Sequence, residues 1–177
     1  MKIGDTQIEA IKGDIVTQSD IEAIVNAANA QLQTGSGVAG AIHKAAGPDL
    51  DKETSPLAPI KPGDAVITRA YNLPNDFVIH VLGPIYGTDK PEEDLLSNCY
   101  KNAIQLAEER KIKSIAFPAI STGAFGYPLE EATNVTLSTV KVILPTLKHV
   151  KLVRFVLFSE KDLALYQQKI EALKDTL

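Results

Sequence analysis

Apolar residues in this chain fall into two rhythms. Short, nearly continuous runs rich in Val, Ile and Phe mark buried strands. They are Ile21 to Ala27, Ala65 to Arg69, Phe77 to Leu82, Ser114 to Pro118 and Leu152 to Phe158. Between them lie stretches with apolar positions three and four residues apart, the spacing of one helix face. The longest runs from Pro91 to Lys111, where Leu95, Cys99, Ala103, Leu106 and Ala107 recur at helical spacing. Val38 to Ala46 predicts a short helix closed by Gly47-Pro48, and Pro128 to Leu144 predicts another, with Pro145 at its stop. Ser159-Glu160-Lys161-Asp162 resembles a capping box that opens a last helix. Lys2-Ile3 and Thr6 to Lys12 read as a hairpin turned by Gly4-Asp5. Asn72 to Asp76 reads as a turn. Leu50 to Gly63 carries Pro56, Pro59 and Pro62 and reads as a loop. Strands alternating with helices imply a three-layer α/β/α sandwich, and the opening hairpin implies a central mixed β-sheet rather than a purely parallel one. The absence of repeats and linkers predicts one domain over residues 1–177.

Two of the predicted strands lead into glycine-punctuated segments. These are Gly35-Ser36-Gly37-Val38-Ala39-Gly40 and Ser121-Thr122-Gly123-Ala124-Phe125-Gly126, each placed before a predicted helix. Glycine lets the backbone approach a ligand closely, and a helix start supplies unpaired N–H groups that attract anions. Two such loops predict two walls around one diphosphate. Neither contains a Lys, so backbone amides would hold the phosphates.

Composition narrows the function classes. The 177 residues suffice for a full core, with 45% hydrophobic and 23% charged residues. A net charge of -4 points away from nucleic acid, whose phosphates need a basic surface. No apolar run approaches a membrane span, and Met1 to Asp5 carries no apolar signal segment. One Cys excludes an internal disulfide and fits a reducing compartment, so the cytoplasm is the expected location. A monomer is expected.

Several chemistries are poorly supported. The histidines are His43, His80 and His149; no pair has metal-ligand spacing, and a single Cys builds no zinc site, so neither metal nor cofactor is expected. His80 lies in an apolar run and reads as a hydrogen-bonded core residue. His43 reads as a partly exposed helix residue, and Cys99 as packing. No P-loop and no Gly-x-Ser-x-Gly elbow is present. Gly35 to Gly40 does match Gly-x-Gly-x-x-Gly. A dinucleotide fold, however, would put its first Gly directly after the strand and an acidic residue about 20 positions on, at the next strand's end. Here Ala28 to Thr34 intervene, and Asp64 precedes a strand instead.

Further motifs complete a constellation. Gly13-Asp14-Ile15 follows the first long strand, Val25-Asn26-Ala27-Ala28-Asn29 ends the second, and Val78 to Pro84 reads Val-Ile-His-Val-Leu-Gly-Pro. Together with the two glycine segments, and in this order, they resemble the signature of the macrodomain family from about Gln7 to the last helix. The resemblance implies a cleft that binds ADP-ribose, free or attached to a protein or small molecule. In it Asp14 would accept a hydrogen bond from the adenine amine, with help from the backbone at Ile15. Phe158 would stack on adenine; a core Phe is the alternative. Gly35, Ser36, Gly37 and Val38 would run beside the distal ribose and second phosphate. Ser121, Thr122, Gly123, Ala124 and Gly126 would hold the diphosphate, and Phe125 would lie against the distal ribose or anchor its loop. Asn29 would orient the ribose hydroxyls as the catalytic residue. Asn26 belongs to the same signature and reads mainly as a tie from the strand end to a neighbouring loop.

One departure bears on catalysis. MacroD-like hydrolases typically read Gly-Val-Asp-Gly where this chain has Gly37-Val38-Ala39-Gly40, and Ser36 stands where a third consecutive Gly is usual. The resemblance therefore implies one of several activities. One is a hydrolase of ADP-ribosyl esters on acidic residues or of O-acetyl-ADP-ribose, acting through an oriented water. Others are a non-catalytic reader of ADP-ribose and a phosphatase of ADP-ribose 1''-phosphate. A binder of A-rich RNA fits less well with the acidic balance.

Overall fold

The computed structural model describes residues 1–177. Seven strands form one sheet: β1 (Lys2–Ile3), β2 (Thr6–Lys12), β3 (Ala23–Ala27), β4 (Ala65–Arg69), β5 (Phe77–Val81), β6 (Ser114–Phe117) and β7 (Leu152–Leu157). Their spatial order is β1-β2-β7-β6-β3-β5-β4. The inner run from β2 to β5 is parallel throughout, while β1 and β4 pair antiparallel at the two edges. The sheet is mixed, as the opening hairpin predicts.

Strand residues alternate between two cores, because successive side chains leave opposite faces of a sheet. Ala23, Val25, Ile79, Val81, Ile115, Phe117, Val153, Phe155 and Leu157 face the larger core. It is closed by α3 (Glu92–Glu109), α4 (Leu129–Ile143) and α5 (Glu160–Leu173). Ile24, Val78, Ala116 and Val156 face the smaller core under α1 (Gly37–Ala46) and α2 (Pro48–Thr54). Every central strand is covered on both sides, which explains why its sequence is apolar without alternation. An aromatic stack of Tyr100, Phe117, Phe155 and Tyr166 fills the larger core, with Phe117 and Phe155 ring centroids 6.0 Å apart.

Leu50 to Gly63 is not the loop its prolines suggest. It contains the end of α2 and a single 3-10 turn over Ser55–Leu57. Pro48 occupies the first turn of α2, where a missing N–H is harmless, and Asp49 and Asp51 suit the positive end of the helix. Leu50 is fully buried beneath α2. Pro56 is the second residue of the 3-10 turn, where its missing N–H is again harmless, so it shapes this helical stretch rather than prevents it.

Other element limits differ by one or two residues from the hydrophobic pattern. The strand expected from Ile21 begins at Ala23, because the Asn75 side chain takes the Ile21 carbonyl, at 2.7 Å. The last helix opens as expected with Ser159 Oγ accepting from Asp162 N–H at 3.1 Å, although only this arm of the box forms. No helix is long and apolar enough to cross a membrane.

Candidate functional site

The motif residues gather at one edge of the sheet. β2, β7, β6 and β3 run parallel, and Asp14, Phe158, the loop from Ser121 and Asn29 each follow the C-terminal end of one of them. In open α/β sheets this edge is where ligands bind.

At β2 and β7 the two strand ends are direct neighbours, with Lys12 opposite Leu157 and Gly13 N–H bonded to the Leu157 carbonyl at 2.9 Å. Asp14 is exposed. One carboxylate oxygen accepts from Val16 N–H at 3.1 Å and caps the 3-10 turn over Ile15–Thr17. The other oxygen makes no bond within the chain, and neither does the Ile15 N–H, so an acceptor and a donor stand side by side. The Ile15 side chain is buried and pins this corner into the smaller core. Phe158, one residue past β7, is 66% exposed, which removes the core-residue alternative.

The segment after β3 closes on itself through Asn29. Its Nδ2 donates to the Gln33 carbonyl at 2.8 Å, and its Oδ1 accepts from Gln33 N–H at 3.0 Å. Each atom retains one further hydrogen-bonding position. A Cβ on Gly35 would sit 3.2 Å from Asn29 Nδ2, so glycine there lets the carboxamide lie against the loop. Gly40 solves a tighter problem, since a Cβ would meet the Gly35 carbonyl oxygen at 2.5 Å. Gly37 has φ +59 and open space above it. Ser36 caps α1 without a side-chain bond, and the first backbone bond at this end runs from Gly40 N–H to the Ser36 carbonyl. The N–H groups of Gly35, Ser36, Gly37 and Val38 have no acceptor in the chain.

The second loop follows β6 and presents a similar row. No N–H from Ser121 through Phe125 finds an acceptor in the chain. Gly126 N–H bonds to the Gly123 carbonyl at 3.0 Å and Tyr127 N–H to the Ser121 carbonyl at 2.9 Å, which fixes the turn. Ser121 is buried with φ +66, and its Oγ has no partner. Gly83 makes room for it, since a Cβ there would collide with Ser121 Oγ and approach Ile120 Cγ2 to 2.7 Å. The sequence suggests a helix start as the source of these amides. Instead α4 begins only at Leu129, so the row belongs to the loop itself, an anion-binding concavity of successive N–H groups.

Phe125 joins the two walls. It packs on the small cluster of Ala28, Leu32, Ile60 and Leu82, so a residue of the second loop rests on residues flanking the first. Asn26 lies beneath this surface rather than on it: fully buried, its Nδ2 donates to His80 Nδ1 at 3.1 Å. His80 Nε2 meets Thr68 Oγ1 at 2.9 Å, and Thr68 in turn donates to the Arg69 carbonyl. His80 is thus the hydrogen-bonded core histidine expected, with burial lowering its pKa to about 3. Asn26 ties β3 to β5, not to a loop. Cys99 is buried, its Sγ 3.2 Å from the Leu82 carbonyl, and its thiol is pushed up to about 12 by burial.

His43 corrects the sequence reading. It is 4% exposed, not a partly exposed helix residue, with Nδ1 2.9 Å from Asp51 Oδ1. Asp51 also accepts from Thr34 Oγ1 at 3.3 Å. The α1–α2 corner folds His43 inward, and Asp51 connects it to the residue before Gly35. A helical wheel of α1 alone misses this because the carboxylate that meets His43 lies on α2. Ala39 is buried and contributes no titratable group. No group of three or more His, Cys, Asp and Glu is placed to hold a metal ion.

The sequence model described as Macro domain matches residues 25–136. A macro domain-containing protein of Chlorobaculum tepidum is 46% identical over 93% of this chain and 96% of its own length. A Klebsiella pneumoniae protein named O-acetyl-ADP-ribose deacetylase is also 46% identical, over 92% of this chain and 95% of its own. Among solved structures, the Oceanobacillus iheyensis macrodomain with ADP superposes with a TM-score of 0.95 at 41% identity, covering 100% of this chain and 96% of that one.

Proposed function

Because this chain belongs to the macro domain family, we propose that it binds ADP-ribose and hydrolyses ADP-ribosyl esters, either on acidic residues or as O-acetyl-ADP-ribose. The carrying observation is the pair of free N–H rows, Gly35 to Val38 and Ser121 to Phe125, at the same end of the sheet and joined by Phe125 on the cluster of Ala28 and Leu32. A diphosphate is the ligand such rows suit, since charge-assisted bonds from backbone amides need no lysine. Asp14 and the Ile15 N–H offer the acceptor and donor that the edge of adenine requires, and exposed Phe158 offers a face for its ring. The deacetylase name of the Klebsiella relative and the ADP in the Oceanobacillus structure support the same reading.

Catalysis in this reading is orientation. A carboxylate leaves easily because its conjugate acid is strong, with a pKa of about 4. With a glutamate-linked substrate, water attacks the anomeric carbon, the bond from that carbon to the carboxylate oxygen breaks, and the carboxylate departs with the electron pair. With O-acetyl-ADP-ribose, water adds to the acetyl carbonyl, the acyl C–O bond breaks, and the ribose oxygen leaves with the electron pair and takes up a proton. Asn29 and the glycine loop hold the ribose hydroxyls. A diphosphate oxygen of the substrate accepts a hydrogen bond from the water and positions it, the proton passing on to solvent as the bond to the leaving group breaks. Fixing such groups lowers a barrier without a protein general base.

Ala39 favours a second reading, a reader module without turnover, because it leaves that side of the ribose without a carboxylate. One assay separates the two. Glutamate-linked mono-ADP-ribose is incubated with the natural protein, Asn29→Ala and Ala39→Asp. Turnover by the natural protein that falls at least tenfold with Asn29→Ala, about 1.4 kcal/mol in barrier, supports the hydrolase. No turnover above buffer, with Ala39→Asp gaining it, establishes the reader. Release of phosphate from ADP-ribose 1''-phosphate, with no ester cleavage, would transfer the same cleft to a phosphatase.

A further inference from the structure

A second concavity lies behind the loop of Ser121 to Gly126. It measures about 610 Å³ and is lined by Tyr86, Lys90, Glu92, Glu93, Tyr127 and Glu131. Glu92 and Glu93 open α3, and Glu131 lies in the first turn of α4, so two acidic helix starts converge on one hollow. Carboxylates at helix starts are ordinary in themselves. Tyr127 sets this hollow apart. Its ring packs into the larger core, and its hydroxyl, which makes no hydrogen bond within the chain, is the part left open to the hollow beside the three carboxylates. Tyr86 closes the other side, its hydroxyl donating to Glu131 Oε2 at 3.2 Å and its ring edge-on to that of Tyr127 at 4.9 Å. Lys90 is the only cation in the lining, and it pairs with none of these carboxylates.

The hollow adjoins the second loop of the cleft. Tyr127 directly follows Gly126, and Tyr86 N–H donates to the Phe125 carbonyl at 2.9 Å. The distal end of the cleft and this hollow therefore share the Phe125–Tyr127 backbone as a common wall.

We infer that this hollow is a subsite for an arginine side chain of the polypeptide that carries the ADP-ribosyl group. Three carboxylates against one ammonium select a cation. The exposed Tyr86 ring and the Tyr127 phenol favour a flat, weakly hydrated guanidinium over a compact ammonium, because it stacks on an open ring and meets carboxylates through several N–H groups. The polypeptide as source rests on the ester-hydrolase reading, since the modified residue would emerge from the cleft over Phe125.

The test has two independent arms. In the first, N-acetyl-arginine amide, N-acetyl-lysine amide and N-acetyl-citrulline amide are titrated into the natural protein while backbone amide NMR signals are followed. The arginine probe shifts Tyr86, Lys90 and Tyr127, the citrulline probe does not, and Glu93→Gln/Glu131→Gln abolishes the response. No shift, or an equal shift with citrulline or in the substituted protein, overturns the subsite. In the second arm, two glutamate-linked ADP-ribosyl peptides differ only by arginine or citrulline beside the modified residue. The arginine peptide is processed roughly fivefold to tenfold more efficiently in kcat/KM by the natural protein and not by the substituted one. Equal processing overturns the polypeptide as source. ADP-ribose affinity is the same in both proteins; a drop in the substituted one would make these carboxylates part of the nucleotide cleft and overturn a separate subsite. If the natural protein binds no ADP-ribose at all, the proposed function fails, while the arginine titration still decides the subsite by itself.

Discussion

Single atoms decide the shape of the cleft, and Gly40 is the sharpest instance. Alanine is favoured over glycine inside a helix by about 1 kcal/mol, so Gly40→Ala would stabilise α1 on propensity alone. The new methyl would stand 2.5 Å from the Gly35 carbonyl oxygen, a separation that cannot persist. The loop must move, and with it the free N–H groups of Gly35 to Val38. The expected outcome is at least a tenfold loss of ADP-ribose affinity by calorimetry, an order of about 1.4 kcal/mol, with little gain in thermal midpoint. Unchanged affinity would show that this loop does not touch the ligand. Asp14 poses a narrower question. Its capping oxygen serves Val16, and its second oxygen is free. Asp14→Asn keeps one carbonyl oxygen for the cap but cannot offer two acceptors. It should cost ADP-ribose about 1.5–3 kcal/mol, the scale of a hydrogen bond to a charged group, and should erase the preference over the hypoxanthine analogue.

At the scale of elements, His80 links three strands: it stands on β5, touches Asn26 on β3 and reaches Thr68 on β4. Burial holds its pKa at about 3 against an ordinary 6.5, and the His43 ring, 6.3 Å away, adds to the lowering. A depressed histidine pKa means the unfolded chain binds a proton that the fold refuses. Stability is therefore complete above the ordinary value and is lost as pH falls from 6.5 toward 3, at up to about 1.4 kcal/mol per pH unit for this one group. Denaturation midpoints should fall between pH 6.5 and pH 5, and His80→Gln, less stable at pH 7, should flatten that slope by close to one proton. An unchanged slope would mean that His80 is protonated within the fold.

Much of this element-level order was legible. Strands buried on both faces announce themselves as continuous apolar runs, and the glycine segments stand out as places of close approach, although at Gly40 the group approached is the Gly35 carbonyl and not a ligand. α2 was not legible, because Gly47-Pro48 reads as the close of the preceding helix and Pro56, Pro59 and Pro62 read as a loop, whereas Pro48 opens the new helix. His43 was misjudged for the same reason, since the carboxylate that meets it lies on that helix. The Tyr127 hollow carries no motif, because its carboxylates come from two helices distant in sequence and meet only through the fold.

The whole molecule suspends one ligand between two separately built ends. Asp14, Ile15 and Phe158 hang on the neighbouring ends of β2 and β7, whereas Asn29 and Phe125 hang on β3 and the loop after β6. The sheet fixes their spacing, so a ligand that spans both ends gains from each without a second loss of rotational and translational freedom. AMP should engage only the first end and ribose 5-phosphate only the second, each far more weakly than ADP-ribose. Phe158 is 66% exposed, so Phe158→Ala should alter stability by no more than about 0.5 kcal/mol, as surface substitutions do. Loss of its stacking should nevertheless weaken AMP and ADP-ribose alike, by about 1–3 kcal/mol. Asn29→Ala should weaken ADP-ribose and ribose 5-phosphate while leaving AMP untouched. The two substitutions share no contact, so their effects on ADP-ribose should add to within about 0.5 kcal/mol in a double-mutant cycle. Calorimetry on four proteins and three ligands measures all of this at once. If Asn29→Ala weakens AMP as strongly as ADP-ribose, the ends are not independent, and the ligand does not lie along the strand ends from Phe158 to Phe125.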